Sequence, residues 1–244
     1  MIQQDDELTL DKPRQKTLQW LGISALITVL LWQMPFGGLV LYPFTILATW
    51  FHEMGHGLTA LLLGGRFHQL LIFADGSGVA YHSSAGGLAG ALVAAGGLMG
   101  PPIAGAFFIL SGRSPGRSRL VLTVLGAMLL LSTVVWVRSG FGWLILPMLA
   151  VALLAVARRG PDWLQPMTIQ FLGVQACINT YHQLDYLFMA QANVGGQVMR
   201  SDTGQIAAAL LLPYWFWGGL IAGFSFVLLA ASLWVVGRAS KASA

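Results

Sequence analysis

The chain has 244 residues, of which 56% are hydrophobic and only 9% charged, and its formal net charge is +4. A soluble domain carries about 25% charged residues, so the composition excludes one and specifies an all-α polytopic membrane protein. The small basic excess is spread thinly over loops, which excludes a nucleic-acid footprint.

The opening stretch "MIQQDDELTLDKPRQKT", residues 1–17, is polar and mixed in sign. No small-x-small cleavage site follows the first apolar run, so 1–17 reads as an exposed tail before a retained span. Apolar runs then fall at 18–34, 39–64, 84–111, 118–137, 141–157, 164–190 and 206–236. A span needs about 20 apolar residues, so six to seven transmembrane helices are expected. They form a single domain over 18–237, with 238–244 as a C-terminal tail. Basic residues divide almost evenly between the two sides, so loop charge assigns no orientation.

The second run holds "LATWFHEMGHGLTALLLGG". His52 and His56 are four apart and share one helix face, with Glu53 beside them. This is H-E-x-x-H, in which two imidazoles bind zinc and the glutamate serves as general base. Glu53 would take a proton from water and later deliver it to the leaving amine. Buried acids are costly in a membrane span, which argues for function.

After this helix, "RFHQLLIFADGSGVAYHSS" carries Asp-Gly between two short apolar runs. That is a hairpin signal, with strands expected at about 67–73 and 78–82 within a hairpin at about 66–83. Asp75 reads as the turn residue, and His68 and His82 as solvent-facing. In the third run, "GGLAGALVAAGGLMGPPIAG" spaces small residues for close helix packing. Cys177, the single cysteine, reads as an apolar filler.

A catalytic zinc takes three protein ligands and one open position. Besides Glu53, the only acid inside an expected span is Asp185, in "INTYHQLDYLFMA". Helix counting gives the second and sixth spans the same direction and places Asp185 within about one turn of the depth of the histidines. Asp185 is therefore the expected third ligand. His182, on the same helical face, is the alternative, with a supporting hydrogen bond as its other role. Asn179 would sit nearby and could bind substrate backbone. Asp202, in "RSDTGQ", reads first as a helix cap and second as a loop acid folding back to the metal.

Together, "FHEMGHGLTALLLGG", the hairpin, "AGGLMGPPIAG", "NTYHQLDYL" and "SDTG" resemble the site-2 protease family of intramembrane zinc metalloproteases, in particular its short bacterial branch without a PDZ domain. The resemblance covers about residues 39–220. It implies zinc as cofactor, a membrane-protein or peptide substrate, and a multi-pass location in a bacterial inner membrane. In the family a Leu-Asp-Gly motif on a later span supplies the third ligand. Leu184-Asp185 matches its first two positions, whereas Tyr186 stands where the family has glycine and the accompanying prolines are missing. The resemblance further implies that the hairpin offers an edge to an unwound substrate. The expected activity is hydrolysis of a peptide bond in or near the bilayer. The alternatives are a non-proteolytic protein that keeps zinc for structure or partner binding, and a metal or proton transporter. Nothing in the sequence sets the oligomeric state.

Overall fold

The computed structural model describes residues 19, 21–182, 184–194 and 196–238. Residues 1–17 and 239–244, which hold most of the two expected tails, lie outside the described residues. The helices are α1 (Leu21–Trp32), α2 (Gly37–Leu62), α3 (Gly87–Ser111), α4 (Pro115–Val135), α5 (Gly140–Arg159), α6 (Leu164–His182), α7 (Leu184–Leu187), α8 (Asp202–Leu210) and α9 (Tyr214–Arg238). Two antiparallel hairpins interrupt them: β1 (Arg66–Ile72) with β2 (Gly78–Ser83), and β3 (Gln191–Val194) with β4 (Gln197–Arg200). Among the described residues, α3, α4, α5 and α9 are long and apolar enough to cross a membrane. The chain is thus a mostly α-helical membrane protein, as its composition dictates.

Two expected spans are broken. The run 206–236 is divided at Leu211, which takes φ 66, followed by Pro213. Proline has no N–H to continue a helix, so α8 stops and α9 starts afresh. The run 164–190 gives α6 and the single turn α7, and then leaves helical conformation for β3.

The small residues of α3 seat it against α2, as their spacing predicts. A Cβ on Gly96 would collide with Thr59, and one on Gly100 with the Phe51 carbonyl. On its other side α3 meets α6, where Gly105 approaches Gly173 and the buried Cys177. A core around Ile46, Trp50, Leu122 and Leu146 joins α2 to α4 and α5. Within it the Trp50 indole N–H donates to Ser132 Oγ at 2.9 Å, leaving no buried donor unpaired there.

The first hairpin folds back along α2. Its register runs from Arg66↔Ser83 to Ile72↔Gly78, with a bulge between Phe67 and Gln69. In the turn, Asp75 Oδ1 accepts from the Ser77 N–H at 2.9 Å and from the Ser77 hydroxyl at 2.6 Å. These contacts hold the Asp75 carboxyl below the usual carboxylate range. Tyr42 donates to the Ala74 carbonyl at 2.6 Å, and Thr49 to the Gly76 carbonyl at 2.6 Å. At 1.5 Å per residue, Tyr42 lies about 30 Å back from the C-terminal end of α2. The hairpin therefore re-enters along most of the helix.

Backbone at that depth must be paired or must line a wet cavity. The outer edge of β1 is paired. Leu70 N–H donates to the Trp136 carbonyl at 2.8 Å, Arg138 N–H to the Leu70 carbonyl at 3.0 Å, and Ile72 N–H to Ser139 Oγ at 3.0 Å. Leu70 and Ile72 thus point away from β2. Residues opposed in an antiparallel ladder point the same way with respect to it, so their partners Ala80 and Gly78 turn to the outer edge of β2. That edge faces α2.

Candidate metal centre and cleft

His52 and Glu53 each lie three or four residues from both Thr49 and His56 on α2, so the four form one stripe. The stripe faces α3, β2 and α8. His56 Nδ1 lies 2.9 Å from the Val93 carbonyl of α3. A carbonyl only accepts, so Nδ1 carries the proton and Nε2 of the neutral ring presents a lone pair. That atom is 3.1 Å from His52 Nε2. Gly97 leaves room for the ring, since a Cβ there would overlap the His56 imidazole.

The third donor is Asp202. Its Oδ2 lies 3.1 Å from His52 Nε2 and 3.4 Å from His56 Nε2. Asp202 is the first residue of α8, yet it is not the cap: Ser201 is, with its Oγ accepting from the Gly204 N–H at 3.1 Å. Capping by the neighbour leaves the Asp202 carboxylate able to turn back to α2. Serine is as good a cap as aspartate, and "SDTG" offers both. Among the described residues, His52, His56 and Asp202 form a group that could hold a metal ion, their donor atoms all within 4.8 Å of one another.

Asp185, the acid expected in that place, is exposed. Its expected depth requires an unbroken sixth helix. The chain instead restarts in the one-turn α7, where adjacent residues diverge by about 100°. Tyr186 takes the inward direction and Asp185 the outward one. His182 ends α6, and its side chain lies outside the described residues. Asn179 is half-buried and reaches the cleft beside the histidines. His68 is exposed as expected, but His82 is not solvent-facing. Its ring stacks on His56 with centroids 6.0 Å apart, and its Nδ1 is buried without a hydrogen-bond partner among the described residues. Alternation along β2 puts His82 on the same face as Gly78, whose Cβ position meets Glu53 and Thr49, so the ring turns towards α2.

Tyr186, to which the sequence pattern assigns no role, lies beside this group. Its hydroxyl donates to Asp202 Oδ2 at 3.0 Å, and its ring stands edge-on to His52 at 6.1 Å. Tyr186 and Asp202 flank the β3–β4 hairpin, whose base is pinned. Ser201 N–H donates to the Ala190 carbonyl at 3.1 Å, and the Thr203 hydroxyl to the Met189 carbonyl at 3.3 Å.

A cleft of about 310 Å³ opens beside the histidines. One wall is α2 from Thr45 to Glu53, another the turn Asp75–Gly78, a third Leu98 and Pro101 of α3. Asn179, Tyr186, Leu187, Ala192 and Asn193 close the opposite side. Glu53 is buried and not part of the three-donor group. The backbone of Ala80 in β2 lies beside its carboxylate.

The family model described as Peptidase M50B-like matches residues 20–232. The chain belongs to that family. Its resemblance to the site-2 proteases, drawn from the motifs, is thereby borne out. Compared with curated proteins and with solved structures, this M50B-like chain finds no match. The family consists of metallopeptidases, and the donors fit a metal. Two imidazole Nε2 atoms and a carboxylate oxygen converge, a donor set that suits a cation.

Proposed function

We propose that this M50B-like protein is an intramembrane zinc metalloprotease that hydrolyses a peptide bond of a membrane-protein substrate. The observation carrying this reading is the position of Glu53, between the three donors and the free edge of β2, on the wall of the cleft. A metal site kept for structure alone has no use for a buried base aimed into a cavity, and a transporter has none for a peptide-binding edge.

His52 Nε2, His56 Nε2 and Asp202 Oδ2 would hold the ion. Zinc bound to nitrogen and oxygen at about 2.0–2.1 Å in a tetrahedron separates neighbouring ligands by roughly 3.3 Å, close to the 3.1–3.4 Å found between these atoms. Bound there, zinc supplies the Lewis acidity that polarises a carbonyl and acidifies water. Glu53 accepts the proton of the attacking water and passes it to the departing amine. The Val93 carbonyl fixes the tautomer of His56. A substrate helix hides its peptide groups in its own hydrogen bonds. Unwound, it offers them to the edge of β2, which supplies the pairing that lipid cannot. Asn179 and Asn193 supply polar groups across the cleft. A bacterial inner membrane is the setting that the resemblance implies.

The test is zinc content and hydrolysis in the purified full-length protein, wild type beside His56→Ala. One zinc per chain and cleavage of single-span peptides in reconstituted vesicles are expected for the wild type, and neither for the variant. Cleavage that persists in His56→Ala or after removal of zinc by a chelator overturns the reading.

A further inference from the structure

We propose that Tyr186 is a positioning residue for this centre, setting two of its three donors at once: its hydroxyl holds the Asp202 carboxylate and its ring braces the His52 imidazole. This rests on the metal site described above and goes beyond it, because it gives a role to a side chain outside the three donors and the base.

Three observations carry the assignment. The oxygen that Tyr186 contacts is Oδ2, the same atom that faces both imidazoles, at 3.1 and 3.4 Å. The other oxygen, Oδ1, accepts from Gln205 Nε2 at 3.4 Å. Each carboxylate oxygen therefore has its own donor, and rotation about the Cβ–Cγ bond breaks both contacts. A ligating carboxylate is commonly oriented by such outer hydrogen bonds. The tilt of the ring, 81° to that of His52, is the edge-to-face arrangement that aromatic pairs favour. It limits the direction in which Nε2 of His52 points.

Tyr186 is itself firmly mounted. It packs on the apolar cluster of Leu98, Leu187, Ile206 and Ile221, contributed by α3, α7, α8 and α9. A Cβ on Gly218 of α9 would strike the Leu187 carbonyl, so α9 sits directly on the turn that carries the tyrosine. The ring has two rotatable bonds and is held on both sides, so its hydroxyl is a fixed point. Asp202 approaches that point from the far side of the β3–β4 hairpin. The tyrosine thereby does for the carboxylate what Val93 does for His56.

The experiment uses the full-length protein in detergent or nanodiscs, as wild type, Tyr186→Phe, Tyr186→Leu and His56→Ala. Zinc affinity is measured by competition with a chelating dye, and the visible spectrum is recorded with Co²⁺ in place of zinc. Tyr186→Phe removes the hydroxyl and keeps the ring. It should weaken zinc about 10- to 100-fold, the usual loss for an outer-sphere partner, and shift the Co²⁺ bands. Tyr186→Leu should weaken zinc further, because the brace on His52 is also lost. Turnover of Tyr186→Phe should return to within a few-fold of wild type at saturating zinc. Wild-type affinity and spectrum in Tyr186→Phe overturn the inference while leaving the metal site standing. A turnover defect that persists at full occupancy overturns the positioning role in favour of contact with substrate. Failure of the wild type to bind either metal overturns both this inference and the reading beneath it.

Discussion

Asp202 Oδ2 lies 3.1 Å from His52 Nε2 because Ser201, and not Asp202, caps α8. One residue of register decides which of two adjacent side chains serves the helix and which serves the site. Ser201 is fully buried and Asp202 only 3% exposed, so both are committed.

The third ligand is accordingly tested by separating two aspartates. Asp202→Ala should lose zinc by more than the roughly 10- to 100-fold that an outer-sphere contact costs, and should abolish hydrolysis. Asp185→Asn should keep both, since Asp185 is exposed. Metal analysis of the two variants side by side decides it. Loss of zinc with Asp185→Asn alone would return the ligand role to α7.

Glu53→Gln should retain zinc, because Glu53 is not among the three donors. The amide cannot accept a proton, so hydrolysis should fall by about 100- to 10,000-fold. Cleavage of a reconstituted single-span peptide, followed by mass spectrometry, gives the rate. A variant as fast as wild type would remove Glu53 from the chemistry.

Much of this was legible in the sequence. His52, Glu53 and His56 follow from helical spacing alone, and the Asp-Gly turn located the first hairpin to within a residue or two. Both signals are local. What escaped was non-local or depended on a helix ending. Asp185 was favoured on the premise that the sixth helix continued, and an apolar run does not show where its helix stops. The second hairpin left a trace in "QANVGGQVMR", where Gly195-Gly196 stands between two short runs. Gly-Gly is a two-residue hairpin signal, and Gly196 takes φ 82. The strands are so short and polar that hydropathy assigns them to a loop. Tyr186 could be found only through its contact with Asp202, across that hairpin.

Two glycines offer a means of disturbing the base and the metal separately. A Cβ on Gly97 would overlap the His56 ring, so Gly97→Ala should displace a ligand and lower zinc occupancy and activity together. A Cβ on Gly78 would come within 2.8 Å of Glu53 Cγ and of Thr49 Cγ2. Both atoms belong to buried side chains on the cleft wall, so an added methyl displaces Glu53. Gly78→Ala should therefore lower hydrolysis while leaving zinc in place. Equal zinc loss in the two variants would show that the hairpin and the metal centre cannot be perturbed independently.

The last prediction concerns the substrate edge. The sequence offered a hairpin with two candidate edges, and the structure closes one of them. β1 is paired with the segment Trp136–Arg138 through Leu70, so only β2 can receive a strand. Proline distinguishes inward from outward positions, because it removes one N–H and is tolerated where that N–H faces away from the ladder. Ala80 points outward, on the side of Glu53. Ala80→Pro should leave the hairpin and the zinc site intact and slow hydrolysis, since it deletes a donor from the receiving edge. Leu71 follows Leu70 and so points inward, towards Val79. Leu71→Pro should break the ladder and lower thermal stability along with activity. Zinc content, melting in detergent and peptide cleavage, measured for both, separate the effects. If Ala80→Pro cleaves as fast as wild type with zinc bound, the substrate does not pair with β2, and the apolar wall formed by Leu98, Pro101 and Leu187 must hold it instead.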